Sequence, residues 1–101
     1  MTEQVRNMIP LIQRYFAEQP IQRAYLFGSC SRGEEQEDSD VDLLVTYLDS
    51  NNLSLLRICH MSNALEDILG RRVDLIEESG LKAFARPSAD RDKILIYERA
   101  N

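Results

Sequence analysis

Two aspartates separated by one valine, Asp40-Val41-Asp42, follow a Gly28-Ser29 pair across ten intervening residues, and a third, Asp74, stands alone in the apolar run Val73-Asp74-Leu75-Ile76. In an extended strand alternate side chains share a face, so Asp40 and Asp42 point the same way with their α-carbons roughly 6 to 7 Å apart. Carboxylates so placed are hard oxygen donors of the kind Mg²⁺ takes, usually with waters and substrate phosphates completing its shell. A glycine lets the chain turn sharply and lets a ligand approach bare backbone. The serine after it offers a hydroxyl and an amide, and a short helix starting there would face its first amides toward an anion such as phosphate. Together these parts describe a site for a metal-bound nucleoside triphosphate.

Asp74 has two readings. A buried lone carboxylate is costly without a partner, and a metal shared with Asp40 and Asp42 would be such a partner. Three carboxylates on neighbouring strands can hold two metal ions that clamp the attacking and leaving oxygens of a phosphoryl or nucleotidyl transfer. The other reading is an edge-strand carboxylate facing water.

The elements that must position these residues follow from periodicity. Tyr25, Leu26 and Phe27 form an apolar run into Gly28, which makes 21–27 a first strand, 29–33 one helical turn closed by Gly33, and 34–38 a solvated acidic loop. The second strand, 40–47, places Val41, Leu43, Val45 and Tyr47 on one face and Asp40, Asp42, Leu44 and Thr46 on the other. Carboxylates thus occupy one end of a face that continues as apolar, as befits a site at the mouth of a sheet. Residues 72–77 form a third strand, with Val73 and Leu75 on one face and Asp74 and Ile76 on the other.

The remaining segments frame this sheet. Val5, Met8, Ile9, Ile12, Tyr15 and Phe16 recur at helical spacing over 3–18; Pro10 either kinks that helix or marks the first turn of a shorter one, and Pro20 ends the segment. The turn Asp49-Ser50-Asn51-Asn52 offers Asn51 or Asn52 as the cap of a helix whose stripe is Leu55, Ile58, Cys59, Met61, Leu65, Ile68 and Leu69 and which stops at Gly70. A short helical turn over 81–84, a helix over about 88–93 opened by Pro87-Ser88, and a final strand over 94–97 complete the chain. The order implies an α/β (α+β) domain spanning 1–101, a small mixed β-sheet with helices packed against it.

Composition narrows the function. Twelve basic against seventeen acidic side chains, a net charge of −5, argue against a long cationic groove for DNA or RNA. A single nucleotide remains compatible, because metal ions offset negative charge on both sides. No apolar run approaches the roughly 20 residues of a membrane span, and the polar start Met1-Thr2-Glu3-Gln4-Val5-Arg6 lacks a secretory apolar region. Two cysteines without metal-ligand spacing fit a reduced cytoplasmic setting. Cys30 reads as a small filler, His60 as a polar-face helix residue, and Tyr25, Tyr47 and Tyr97 as core edges. Arg71 and Arg72 read as a solvated helix end, while Arg32 could pair with the acidic loop or touch phosphate.

Gly28-Ser29, the ten-residue gap, Asp40-Val41-Asp42 and the later Asp74 resemble the signature of the DNA polymerase β-like nucleotidyltransferase superfamily. The stretches Leu26 to Gly33, Ser39 to Val45, Arg71 to Ile76, Arg86-Pro87 and Ile94 to Glu98 are similar to its minimal nucleotidyltransferases of the MntA type, so the resemblance covers most of the chain. It implies a nucleotidyltransferase fold in which Asp40 and Asp42 bind Mg²⁺, two ions in all, and Gly28 and Ser29 hold the triphosphate of ATP. Asp74 would complete one metal site and help deprotonate an acceptor hydroxyl that attacks the α-phosphorus. Minimal members often act as antitoxins beside a HEPN-domain toxin, and some transfer AMP to a tyrosine of that partner. The implied alternative is a binding module that neutralises its partner by masking it, and homo- or hetero-oligomers fit either reading. The resemblance further implies that the extra domain larger relatives use to hold an acceptor is missing, with a separate protein filling that gap.

Overall fold

The computed structural model describes residues 2–33, 40–49, 51, 53–81 and 86–100. The first helix, α1 (Glu3–Phe16), is capped by Thr2, whose hydroxyl accepts from the Val5 amide at 3.2 Å, and it contains Pro10 within a single element. Its buried residues, Val5, Met8, Ile12 and Phe16, recur every three or four positions and so form one apolar stripe. β1 (Ile21–Phe27) leads into a one-turn helix, α2 (Ser29–Arg32), and then β2 (Val41–Tyr47). α3 (Leu55–Leu69), β3 (Val73–Glu77), a 3₁₀ turn (Glu78–Gly80), α4 (Arg86–Asp92) and β4 (Ile94–Glu98) follow. The sheet order is β3-β2-β1-β4, with β2 parallel to β3 and β1 antiparallel to both β2 and β4. A parallel β2–β3 pair requires a crossover, which α3 supplies.

The core lies on one face of this sheet. Val41, Leu43 and Val45 join Ile21, Ala24, Leu26, Val73 and Ile96 beneath the α1 stripe and Met61 and Leu65 of α3. Phe16 meets Tyr97 edge-on at 6.0 Å between centroids. At the far end of the sheet Arg99 ties the α1–β1 turn down, its guanidinium donating to the Ile21 carbonyl at 3.0 Å and the Gln19 carbonyl at 2.7 Å.

Several boundaries depart from the sequence reading for local reasons. The cap of α3 is Ser54, in extended backbone with its hydroxyl accepting from the Arg57 amide at 3.1 Å, and not Asn51. Asn51 instead donates its amide to the Asp49 carboxylate at 3.2 Å, closing a turn ahead of the helix; Asn52 lies outside the described residues. The apolar stripe of α3 is also narrower than its composition: Met61 and Leu65 are buried and Ile58 and Leu69 pack against them, whereas Leu55 is 75% exposed and Cys59 and Ile68 face outward. Residues 58, 61, 65 and 69 share a narrow arc of the helix, and Leu55 stands in its first turn at the margin of that arc. Gly70 ends the helix in left-handed backbone, as expected. α4 begins at Arg86, earlier than 88, with Pro87 in its first turn where a missing amide costs nothing. The acidic loop and residues 82–84 of the expected helical turn lie outside the described residues.

Candidate active site

The opposite face of the sheet holds the acidic residues. β2 and β3 pair with Asp42 opposite Asp74, and β1 and β2 pair with Phe27 opposite Asp42, so Asp42 sits between the end of β1 and the start of β3. Paired residues on adjacent strands project to the same side, which puts Asp42 and Asp74 together. Asp40 stands one residue before β2. Val41 donates its amide to the Arg72 carbonyl at 2.8 Å, extending the β2–β3 ladder back to this point.

Gly28 explains why the turn is made where it is. Its φ of +74° is left-handed backbone, and a Cβ built on it would stand 2.5 Å from Asp42 Oδ2. The Asp42 carboxylate therefore rests against bare glycine, and any side chain would have to displace it. Ser29 opens α2 directly after this point; the expectation for its hydroxyl lies outside the described side chains. The amides of Ser31 and Arg32 both donate to the Gly28 carbonyl, at 3.1 and 3.3 Å, and the Ser31 hydroxyl does so at 2.9 Å. Those two amides are thus used in closing the turn and do not face outward, which narrows the amide cradle expected there. Cys30 is fully buried, and its thiol donates to the Asp40 carbonyl at 3.6 Å, fastening α2 to the start of β2. It fills space, as expected.

Burial pushes the Asp42 carboxyl up to about 6, the negative charges of Asp74 and Asp40 add to the rise, and the Arg32 guanidinium opposes it. The three carboxylates are therefore electrically coupled. Asp74 is itself exposed on an edge strand, so its expected burial is not met: the desolvated member of the group is Asp42. The reason is topological, since β3 ends the sheet and, among the described residues, no strand pairs with its open side.

Hard oxygen donors that repel one another at a half-buried point fit a divalent cation, which would relieve that repulsion. Among the described residues no three His, Cys, Asp or Glu side chains are gathered as a ready-made metal cage. Mg²⁺ commonly takes only one or two carboxylates and completes its shell with substrate phosphates and water. Asp40, moreover, is engaged by Arg72, with Nε 3.2 Å from Oδ1.

Supporting contacts not legible as site residues in the sequence hold this face. Glu66 of α3 accepts the Val73 amide at 3.1 Å and Ser62 donates to the Val73 carbonyl at 2.9 Å, pinning the start of β3 beside Asp74. Their spacing of four on one helix face was the available signal. α4 closes over the same side of the sheet: Arg32 donates to Asp92 at 3.3 Å, and Lys93 lies 3.1 Å from Glu78, 3.2 Å from Asp90 and 4.5 Å above the Tyr25 ring. His60 is exposed and Tyr47 is buried, in keeping with their structural readings.

The mixed sheet sets a glycine turn beside Asp42, with Asp74 on the adjacent parallel strand, the arrangement expected of a nucleotidyltransferase. The sequence profile of the family described as Polymerase beta, Nucleotidyltransferase matches residues 11–101. The protein adenylyltransferase MntA of Thermococcus cleftensis is 41% identical over 71 residues, 70% of each chain. A solved structure assigned as a minimal nucleotidyltransferase superposes with a TM-score of 0.75 at 37% identity, covering 91% of this chain and 92% of that one. A chain in the solved complex of tri-AMPylated Shewanella oneidensis HEPN toxin with MNT antitoxin superposes with a TM-score of 0.72 at 18% identity, a likeness of fold over 94% of this chain and 73% of that one. The protein belongs to the polymerase β nucleotidyltransferase family and is a nucleotidyltransferase of the minimal kind.

Proposed function

We propose that this protein uses Mg²⁺ and ATP to transfer AMP to a tyrosine hydroxyl of a partner HEPN toxin, and that it thereby acts as the antitoxin of a toxin–antitoxin pair. The observation that carries the reading is the coupling of Asp42 to Asp74 and Asp40 beside the glycine turn. A half-buried carboxylate held beside two others works against the fold; it is useful where positive charge and phosphate arrive together. The adenylyltransferase relative supports the reaction, and the HEPN complex of a protein with the same fold supports the partner.

Each residue has a role in this scheme. Gly28 leaves room for the triphosphate against the backbone, and Ser29 holds it. Asp42 on β2 and Asp40 just before it would hold the metal ions, and Asp74 would complete one site from β3. Two bound Mg²⁺ ions would supply charge neutralisation to the triphosphate and to the departing pyrophosphate. Asp74, exposed at the sheet edge, accepts the proton of the acceptor hydroxyl as its oxygen bonds to the α-phosphorus. The bond from that phosphorus to the bridging oxygen breaks, and pyrophosphate carries away the electron pair. An exposed edge suits an acceptor delivered on a separate protein.

The test is incubation of the protein with labelled ATP, Mg²⁺ and its partner toxin. Adduct on a partner tyrosine that vanishes in Asp40→Ala and Asp42→Ala is the expected result. Toxin neutralisation that persists in both variants would overturn the enzymatic reading and leave masking in its place.

A further inference from the structure

Arg72 has a fixed root and a loosely held head. Its carbonyl accepts the Val41 amide at 2.8 Å, and the next residue is fastened to α3 through Glu66 and Ser62. The main chain of Arg72 is therefore locked beside the start of β2. Its side chain, by contrast, is 81% exposed and reaches Asp40, itself 44% exposed, through a 3.2 Å ion pair. Exposed pairs of this kind contribute little to stability and are screened by salt. Such a contact is easily exchanged.

The carboxylate it holds is one that the proposed function assigns to metal. The guanidinium charge beside Asp40 repels an approaching divalent cation. Arg32 is placed differently, since its guanidinium donates to Asp92 on α4. We propose that Arg72 is the resident counter-ion of Asp40 in the metal-free protein and is displaced when a divalent cation binds, so that its charge sets the cation affinity of the site. Arg72 is then a positioning residue: it keeps Asp40 neutralised and in place until the metal arrives. This inference rests on Asp40 and Asp42 being metal ligands.

Binding of Mn²⁺ alone, without nucleotide, to the full chain tests it, read by electron paramagnetic resonance of the free ion. Arg72→Gln is expected to bind Mn²⁺ about two- to fivefold more tightly than wild type at low salt, the size of a lost exposed ion pair. That gain should shrink at high salt, and Arg72→Lys, which keeps the charge, should bind as wild type does. Arg6→Gln, a change of the same charge on the exposed side of α1, should leave the affinity unaltered. Equal or weaker binding by Arg72→Gln, or an equal gain in Arg6→Gln, would overturn the inference. Undiminished Mn²⁺ binding by Asp42→Asn would instead overturn the metal reading beneath it, so the two failures are distinguishable.

Discussion

Leu43 and Asp42 are adjacent on β2 and live in opposite surroundings. Leu43 is fully buried in the cluster that includes Ile12 and Phe16 of α1 and Met61 and Leu65 of α3. Asp42 faces the other way, half-buried, with two further carboxylates acting on it and a glycine beneath it. The closed face is apolar and close-packed, while the other face buries Leu44 but is otherwise knit by ion pairs: Arg32 with Asp92, Lys93 with Glu78 and Asp90, Arg72 with Asp40. Burial of apolar area dominates folding, and exposed ion pairs add little. One face therefore supplies stability, and it holds in place a second face whose like charges work against the fold.

This division makes substitutions one residue apart diverge. Leu43→Ala should lower the unfolding free energy by about 2–5 kcal/mol, since it empties a packed site, as a denaturant titration would measure. Its transfer rate per folded molecule should stay close to wild type; a matching loss of rate would mean that the faces are not separable. Gly28→Ala sits between the two. A non-glycine residue in left-handed backbone costs about 1–2 kcal/mol, and the added methyl forces Asp42 from its position, so both the denaturation midpoint and the transfer rate should fall.

A smaller effect isolates the open face alone. The folded-state value of Asp42 is raised from 3.8 to about 6, so the folded protein holds that proton more tightly than the unfolded chain does. Stability from this group is therefore lost as pH rises through that interval and stays lost above it. In chelator, Asp42→Asn should gain on wild type by about 1 kcal/mol between pH 4 and 7, a figure reduced for the solvent screening of a half-exposed group. A gap that does not change with pH would mean that the burial and the neighbouring carboxylates do not act on Asp42 as described.

The strands and the acidic face were legible because both rest on local rules. Alternation along β2 separates Val41, Leu43 and Val45 from Asp42, and a glycine after an apolar strand marks a left-handed turn. Which carboxylate is desolvated was not legible. Asp74 stands alone in its apolar run while Asp42 has Asp40 two residues before it, yet sheet order places β3 at an edge and β2 inside, and order is a property of the whole chain. The same holds for Arg72. Reading it as a solvated helix end captured its exposure but not its pairing with Asp40, which depends on the β2–β3 register. On α3, composition suggested a wide stripe, but only the arc facing the sheet is buried, and Leu55 and Cys59 stay outside it.

Under the proposed function Asp42 serves chemistry and not folding. Single-turnover transfer of AMP from ATP to the partner toxin, measured for Asp42→Asn beside Leu43→Ala at equal folded concentration, tests it most directly. A loss of about 10²–10³-fold or more is expected in Asp42→Asn, the scale of removing a group that stabilises charge in a transition state, with little change in Leu43→Ala. An Asp42→Asn protein that transfers AMP at close to the wild-type rate would contradict it.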